Sequence, residues 1–523
     1  MRDRPLRQQA TEATDSEPGL SLMPVIGAIL GAAVAVQVII FLLHAYQAIT
    51  FPYQLDYGEG PILQIALEVA RGRPMYPPVA QPPYIIASYE PAYYLVSALG
   101  VKLFGVGFWW GRLVSTLSVL ATALFAALIV WDCTKHRLAS FIAGGTVLAM
   151  PHFMVWATLM RVDAMALALA TAGFWLLTRG ARWAAVPLFS LGVFTRRTTV
   201  AAMGAAFIGE AGKRGLGKAA KVLALQVALI VALLVGANLV TRGGMYAQLK
   251  LHTATSLGKA WSWQQLWSLL WVPGNPSPLK LWPAYFAMTL IAAIWSTFHR
   301  ESRLLLLWFL LSCVIFLTSG RIGSAHNYLM EPTAVGAMMF GVMYGVMSGA
   351  VGRGVRAGPE CGRGEPRAGP RVLLMLLAGA LAAQMVWTTQ HLPETLSILQ
   401  PRVDARASQR IIELARQTDG PALVEDTGLS LLAGKEPPLM PFEFTMMARA
   451  RALDPEPVYR VVREGRYPLI VLRFNPFDPL EVKLHRPGTD WKGGRWPDGI
   501  IAGVQARYRL AEETGPYFVF TPR

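Results

Sequence analysis

Residues 183–211 read WAAVPLFSLGVFTRRTTVAAMGAAFIGEA, and the path of this stretch through a membrane decides the topology of the whole chain. Trp183–Phe194 and Thr198–Gly209 are apolar, but Arg196 and Arg197 stand between them. One continuous helix would hold two guanidinium groups near mid-bilayer, which is expensive. Two short helices with the arginines at the turn avoid that cost. Working outward, further apolar stretches fall at 22–45, 108–131, 138–158, 163–178, 219–240, 280–298, 303–319, 328–349 and 371–389, each near the length that a bilayer core requires. With the short pair counted as two crossings there are eleven, which puts the N-terminus inside and the C-terminus outside. The inside segments then carry 18 of the 30 Lys and Arg residues before position 390, among them Lys135, Arg137, Arg179, Arg182, Lys213, Arg214, Lys218 and Lys221. A single crossing at 183–211 would move the last four outside, against the positive-inside rule.

Composition agrees. The 523 residues are 54% hydrophobic and 15% charged, against about 25% charged in ordinary soluble domains. Disorder over most of the chain and a single water-soluble domain are both excluded. The formal net charge of +16 divides into +15 for residues 1–389 and +1 for residues 390–523. The basic excess therefore belongs to the membrane part, where it sets orientation, and it does not argue for nucleic acid as a partner. The three cysteines, Cys133, Cys313 and Cys361, fall on the inside or within a helix, so neither an outside disulfide framework nor a cysteine metal site is expected.

The expected organisation is a cytoplasmic leader (1–21), a transmembrane domain (22–349) with a large first outside loop (46–107), and a Gly/Pro/Arg-rich cytoplasmic linker (350–370). A last transmembrane helix (371–389) and an extracytoplasmic α/β domain (390–523) follow. The first span has no small-residue cleavage site after it and is read as a retained helix. In the last domain, Arg402–Gln417 has the pattern of an amphipathic helix, and Pro421–Glu425 and Leu469–Phe474 that of buried strands. Arg507–Glu512 and Tyr517–Thr521 read as a hairpin around Thr514–Gly515–Pro516.

Chemistry concentrates in the first outside loop. Asp56 and Glu59 precede one stretch of interfacial helix, Ile62–Arg71, and Glu90 precedes a second, Tyr93–Phe104, with tyrosines at 53, 57, 84, 89, 93 and 94 around them. Acids at helix starts also serve as caps, and tyrosines as an interface belt, but acids grouped with aromatic rings suit carbohydrate binding and acid/base work. Cations that the positive-inside rule disfavours gather on the same side: Arg161 before Asp163, the Arg196–Arg197 turn, and Arg321 in GRIGSAHNYLMEP. A phosphate or diphosphate at headgroup level fits such guanidinium groups bidentately; a structural pair with Asp163 or Glu331 is the other use for them. His326 and Asn327 beside Arg321 are candidates for sugar hydroxyls. In the C-terminal domain, Val424–Leu429 and Ala433–Pro437 read either as a strand-to-helix turn or as a lid or acceptor-binding face over the membrane site, and no catalysis is assigned to them.

These residues resemble the GT-C class of membrane glycosyltransferases, the group containing protein O-mannosyltransferases, the lipid A aminoarabinose transferase and rhizobial lipopolysaccharide glycosyltransferases. The resemblance is carried by Asp56–Tyr57–Gly58–Glu59–Gly60, Ile65–Ala66, Gly72–Arg73–Pro74–Met75–Tyr76 and Tyr89–Glu90–Pro91–Ala92–Tyr93–Tyr94. Further on it continues in Arg161–Val162–Asp163, Phe194–Thr195–Arg196–Arg197–Thr198 and Gly323–Ser324–Ala325–His326–Asn327–Tyr328. It covers about residues 20–350 and implies an α-helical polytopic membrane protein of the GT-C fold, with about eleven membrane helices, in the plasma (inner) membrane. It implies a sugar on a polyprenyl phosphate as donor and a glycan, lipid or protein acceptor. A loop carboxylate, Asp56 ahead of Glu59, would act as general base for an inverting transfer, and Glu59 and Glu90, counted with it as catalytic residues, would orient the sugar or acceptor or hold a divalent cation. Arg196, Arg197, Arg161 and Arg321 would hold the lipid phosphate. Tyr57, Tyr89, Asp163, His326, Asn327 and Tyr328 would bind substrate, and a divalent cation, Mg or Mn, is a possible cofactor. Relatives often place Asp and Glu side by side, whereas Tyr57 and Gly58 separate them here, which leaves open the choice of base. A transporter or flippase of lipid-linked sugars is the alternative, though it would more often show broken helices in corresponding halves. A scaffold for the C-terminal domain gives no reason for the acid-and-aromatic loop.

Overall fold

The computed structural model describes residues 18–257, 261–271, 277–321, 323–348, 368–399, 403–484 and 495–523. Most of the expected leader and linker lies outside the described residues. The chain opens with the helices α1 (Pro18–Thr50), α2 (Glu59–Ala70), α3 (Pro91–Phe104), α4 (Trp109–Thr134), α5 (Arg137–Ala149), α6 (Pro151–Trp156), α7 (Val162–Thr178), α8 (Arg182–Thr195), α9 (Val200–Arg214), α10 (Leu216–Val240) and α11 (Gly244–Leu257). Apolar helices Pro283–Phe298, Arg303–Leu317, Met330–Met347 and Ala368–Gln390 complete the bundle. Among the described residues six helices are long and apolar enough to cross a bilayer, and the others are shorter.

The stretch 183–211 is two helices. α8 ends at Thr195 and α9 begins at Val200, with a 3-10 turn over Arg197–Thr199 between them. By contrast, the span expected at 138–158 is broken. α5 stops at Ala149 and α6 restarts at Pro151, a residue with no N–H to continue the ladder but well suited to the first helical position.

The centre of the bundle is Met330–Met347, buried along nearly its whole length and packed against Pro283–Phe298, α5, Arg303–Leu317 and α4. Its GAMMFGVMYG run is apolar all round, the pattern of a helix enclosed on every side. At the periphery lies α10, of which Ala219, Val222 and Gln226 alone are buried.

The two short helices of the first loop are present, but the first does not lie on a free surface. α2 is buried from Glu59 to Glu68, held between α3 and the helix Thr427–Leu432 of the C-terminal domain. Gly60 allows this approach, since a Cβ there would meet the backbone N of Gly428 at 2.9 Å.

That domain has a four-stranded sheet, β1 (Ala422–Val424), β2 (Leu469–Leu472), β3 (Tyr508–Thr514) and β4 (Tyr517–Pro522), in the order β1-β2-β4-β3. β1 and β2 are parallel, and β4 is antiparallel to β2 and β3. Side-chain alternation supplies two cores. Val424, Leu469, Val471 and Val519 meet the helix Ala405–Gln417 on one face. Leu423, Ile470, Leu472 and Phe520 meet the helices Pro441–Arg449, Glu456–Arg463 and Asp498–Arg507 on the other.

Candidate active site

Asp56 sits in the loop between α1 and α2. Its Oδ2 accepts the backbone N–H of Gly58 at 2.8 Å and Arg161 Nη1 at 3.3 Å. Both contacts fall on Oδ2, Oδ1 has no hydrogen-bond partner among the described residues, and the side chain is 17% exposed. The Arg161 guanidinium also lies 5.2 Å over the Trp156 ring, with its Nε buried and unpartnered. Residue 58 must be glycine for this packing: a Cβ would overlap that guanidinium.

Glu59, three residues on, is placed quite differently. Both it and Arg112 are wholly buried, with Arg112 Nε to Glu59 Oε1 at 2.8 Å and Nη2 to Oε2 at 2.7 Å. The backbone N–H groups of Leu55 and Met160 also donate to the carboxylate, at 2.7 and 2.8 Å. Arg112 in turn donates to the carbonyl oxygens of Ala48, Phe51 and Tyr53. This pair ties the end of α1 to α4 and does not line the pocket described below. Sequence reading missed Arg112, although an arginine near the start of an apolar span signals a buried partner.

The α8–α9 turn brings the cations in. Arg196 Nη1 is 2.5 Å from Asp163 Oδ1, and its guanidinium lies 4.6 Å over the Tyr328 ring. Asn327 donates to the same Asp163 oxygen at 2.8 Å. Arg197 faces Glu90, with its backbone N–H 3.3 Å from Oε2 and its Nε 3.7 Å from Oε1. Glu90 is the residue before α3 but makes no side-chain capping bond; it spends its carboxylate on Arg197. Arg321 has no ion-pair partner among the described residues, and its Nε is buried and unpartnered. Burial and the nearby guanidinium groups of Arg197 and Arg321 pull His252 down to about 4, so this imidazole is neutral at physiological pH.

Most of these groups border one pocket that opens to solvent. Asp56, Tyr57, Tyr89, Glu90, Arg161, Arg196, Arg197, Arg321, Asn327 and Tyr328 line it. Glu59, Asp163 and His326 do not. Asp163 stands behind Arg196, and His326 is buried in the turn that leads into Met330–Met347.

The C-terminal domain forms another wall, as one reading of the sequence allowed, but through residues that the sequence did not single out. Phe442, Glu443, Met446 and Met447 come from Pro441–Arg449, and Arg495 from farther along the chain. Tyr57 joins the two parts: its hydroxyl donates to Glu443 Oε2 at 2.7 Å and accepts the Phe442 N–H at 2.9 Å. Arg495 lies 4.5 Å over the Tyr57 ring and pairs with Glu425 at 3.1 Å. Burial and the adjacent Glu443 push the Tyr57 phenol well above its usual range, and burial pushes the Glu443 carboxyl up. The 424–429 segment is a strand-to-helix turn, and it also grips the loop: Gln54 accepts the Gly428 N–H at 2.8 Å.

A divalent cation is not well matched by this donor set. Among the described residues no group of three or more His, Cys, Asp or Glu side chains converges. At the pocket, moreover, Asp56 and Glu90 each face an arginine.

No family profile and no curated protein sequence matches the chain. Solved structures do. ArnT from Cupriavidus metallidurans bound to undecaprenyl phosphate superposes with a TM-score of 0.58 at 14% identity, over 93% of this chain and 97% of that one. The Archaeoglobus fulgidus oligosaccharyltransferase in its apo form gives 0.57 at 10% identity, over 94% and 73%. The oligosaccharyltransferase AglB from Archaeoglobus fulgidus, in complex with an inhibitory peptide and a dolichol-phosphate, gives 0.52 at 10% identity, over 96% and 74%. The chain thus has the GT-C fold, with its small α/β domain included in the match.

Proposed function

We propose that the chain is an integral-membrane glycosyltransferase that moves a sugar from a polyprenyl-phosphate donor to a hydroxyl-bearing acceptor. The observation that carries the reading is Asp56: a carboxylate with one oxygen held by Arg161 and the other without a hydrogen-bond partner among the described residues, on a pocket whose other charges are mostly guanidinium. Both ArnT and AglB, which share the fold, have been seen with a polyprenyl-type phosphate. Asp56 Oδ1 takes the proton of the acceptor hydroxyl, whose oxygen forms the new bond to the anomeric carbon. The bond from that carbon to the phosphate oxygen breaks, the configuration inverts, and the lipid phosphate leaves with the electron pair. Arg321, with Arg196, Arg197 and Arg161, meets the charge that the phosphate gains, and preorganised cations of this kind lower such barriers most. Glu59 is left to position the loop, which makes Asp56 the base. By the positive-inside argument the pocket opens outside the cytoplasm. A cysteine at position 198 would then react with an impermeant reagent from outside, and one at position 216 would not.

The test is transfer from undecaprenyl-phosphate-linked sugar by the purified full chain, read as sugar on the acceptor and free undecaprenyl phosphate in equal amounts. Movement of the intact lipid-linked sugar across vesicles without covalent transfer would favour a flippase and overturn the reading.

A further inference from the structure

Four carboxylates around the pocket and its supports are matched to four arginines: Asp56 to Arg161, Glu59 to Arg112, Glu90 to Arg197 and Asp163 to Arg196. Arg495 is taken by Glu425 at 3.1 Å and Asp426 at 3.8 Å. Two charged groups lining the pocket are left over among the described residues. One is the cation Arg321, which the donor phosphate satisfies. The other is Glu443, on the wall built by the C-terminal domain.

Glu443 is a half-buried carboxylate with one side-chain hydrogen bond among the described residues. The Tyr57 hydroxyl accepts the Phe442 N–H, so its own proton is directed at Glu443 Oε2. That hydrogen bond holds Oε2, while Arg161 and Arg495 act on the carboxylate from beyond ion-pair distance and are each paired with another acid. A partly desolvated carboxylate with no direct ion pair is costly, and a ligand that supplies donors reduces the cost. Phe442, Met446 and Met447 flank it with apolar surface.

We propose that Glu443 is the acceptor-binding carboxylate of the site, taking two or more hydroxyl groups, or an ammonium group, of a sugar-bearing acceptor seated against Phe442 and Met446. The proposal rests on the reading of the pocket as a glycosyl-transfer site and adds the division of labour within it. The arginine wall takes the anionic donor, and the C-terminal domain takes a neutral or cationic acceptor. An acceptor whose recognised part is a phosphate or carboxylate is disfavoured on this wall.

The experiment uses the full chain in a source-organism strain lacking the native copy. Sugar-modified envelope acceptor and polyprenyl-phosphate sugar are measured by mass spectrometry, and the same chain is purified for thermal stabilisation by undecaprenyl phosphate. Glu443→Gln retains the shape and an acceptor for Tyr57. It is expected to lower modified acceptor about tenfold or more, to let the lipid-linked donor accumulate, and to leave stabilisation by undecaprenyl phosphate unchanged. Glu443→Asp is expected to recover part of the loss. Normal acceptor modification by Glu443→Gln would overturn the inference and leave the transferase reading intact. Loss of stabilisation by undecaprenyl phosphate in both variants would overturn it too, because Glu443 would then serve the fold or the donor. If deleting the gene changes neither pool, the transferase reading falls and the inference with it.

Discussion

Asp56 and Glu59 lie three positions apart in one loop, each paired with one arginine, and they have opposite surroundings. Glu59 is wholly buried, and guanidinium and backbone N–H groups engage both its oxygens. Asp56 uses one oxygen, and the other has no hydrogen-bond partner among the described residues, on a residue that lines the pocket. Saturation of the lone pairs separates them better than burial or charge does. A carboxylate that has spent every acceptor site holds structure, and one with an oxygen in reserve can accept a proton. The sequence shows two acids near a helix start; only the partners distinguish them.

The sharpest way to break this contrast is to remove each charge while keeping the shape. Asp56→Asn is expected to cut transfer by about 100- to 10,000-fold with unchanged thermal stability, measured as initial rate and melting temperature on the same preparation. Full activity would end the base assignment. Glu59→Gln strands Arg112 in a dry site and is expected to cost about 3–5 kcal/mol of stability, seen as lost expression or a large fall in melting temperature. A stable Glu59→Gln protein without transfer activity would reverse the two roles. Arg321→Ala is expected to weaken undecaprenyl phosphate binding by about tenfold or more, with Arg321→Lys recovering only part because the bidentate fork is lost. A smaller effect concerns pH. Burial raises Glu443, while Arg161 and Arg495 oppose the shift and Tyr57 donates to it. Acceptor binding that needs the ionised carboxylate is therefore lost as pH falls through a value above the ordinary carboxylate range. Glu443→Gln should remove that acidic limb from the dependence on acceptor concentration. The smallest change is expected for Arg71→Ala. Its ion pair with Glu436 is 44% and 48% exposed on the two sides, so the melting temperature should fall by the equivalent of less than about 1 kcal/mol.

Much of this was legible before the structure. The Arg196–Arg197 turn was readable because the cost of charge in a bilayer is large and local, and the elements of the C-terminal domain because alternation and turn residues are local too. The pocket-lining set from the first loop and the helix junctions followed from side-of-membrane arguments. Three things were not legible. Arg112 looked like part of an apolar span, and its partner Glu59 lies 53 positions away. Glu443 reads as an acid in the first turn after Pro441, an ordinary helix start, and the residue that gives it meaning is Tyr57, 386 positions earlier. The enclosure of α2 was missed because its hydrophobic face suggested a membrane surface, while the surface it meets belongs to a domain made much later.

That last order of events has a consequence for how the protein comes into being. Tyr57 emerges from the ribosome early, and Arg495, which lies against its ring, is added 438 residues later. At about 5–20 residues per second, the first loop waits roughly 20–90 seconds for its final wall. The arginine wall is completed within that time, when Arg321 is added, and Glu443 and Arg495 follow only later. A nascent chain can therefore gather a lipid phosphate before it can choose an acceptor, and its selectivity is the last property to be synthesised.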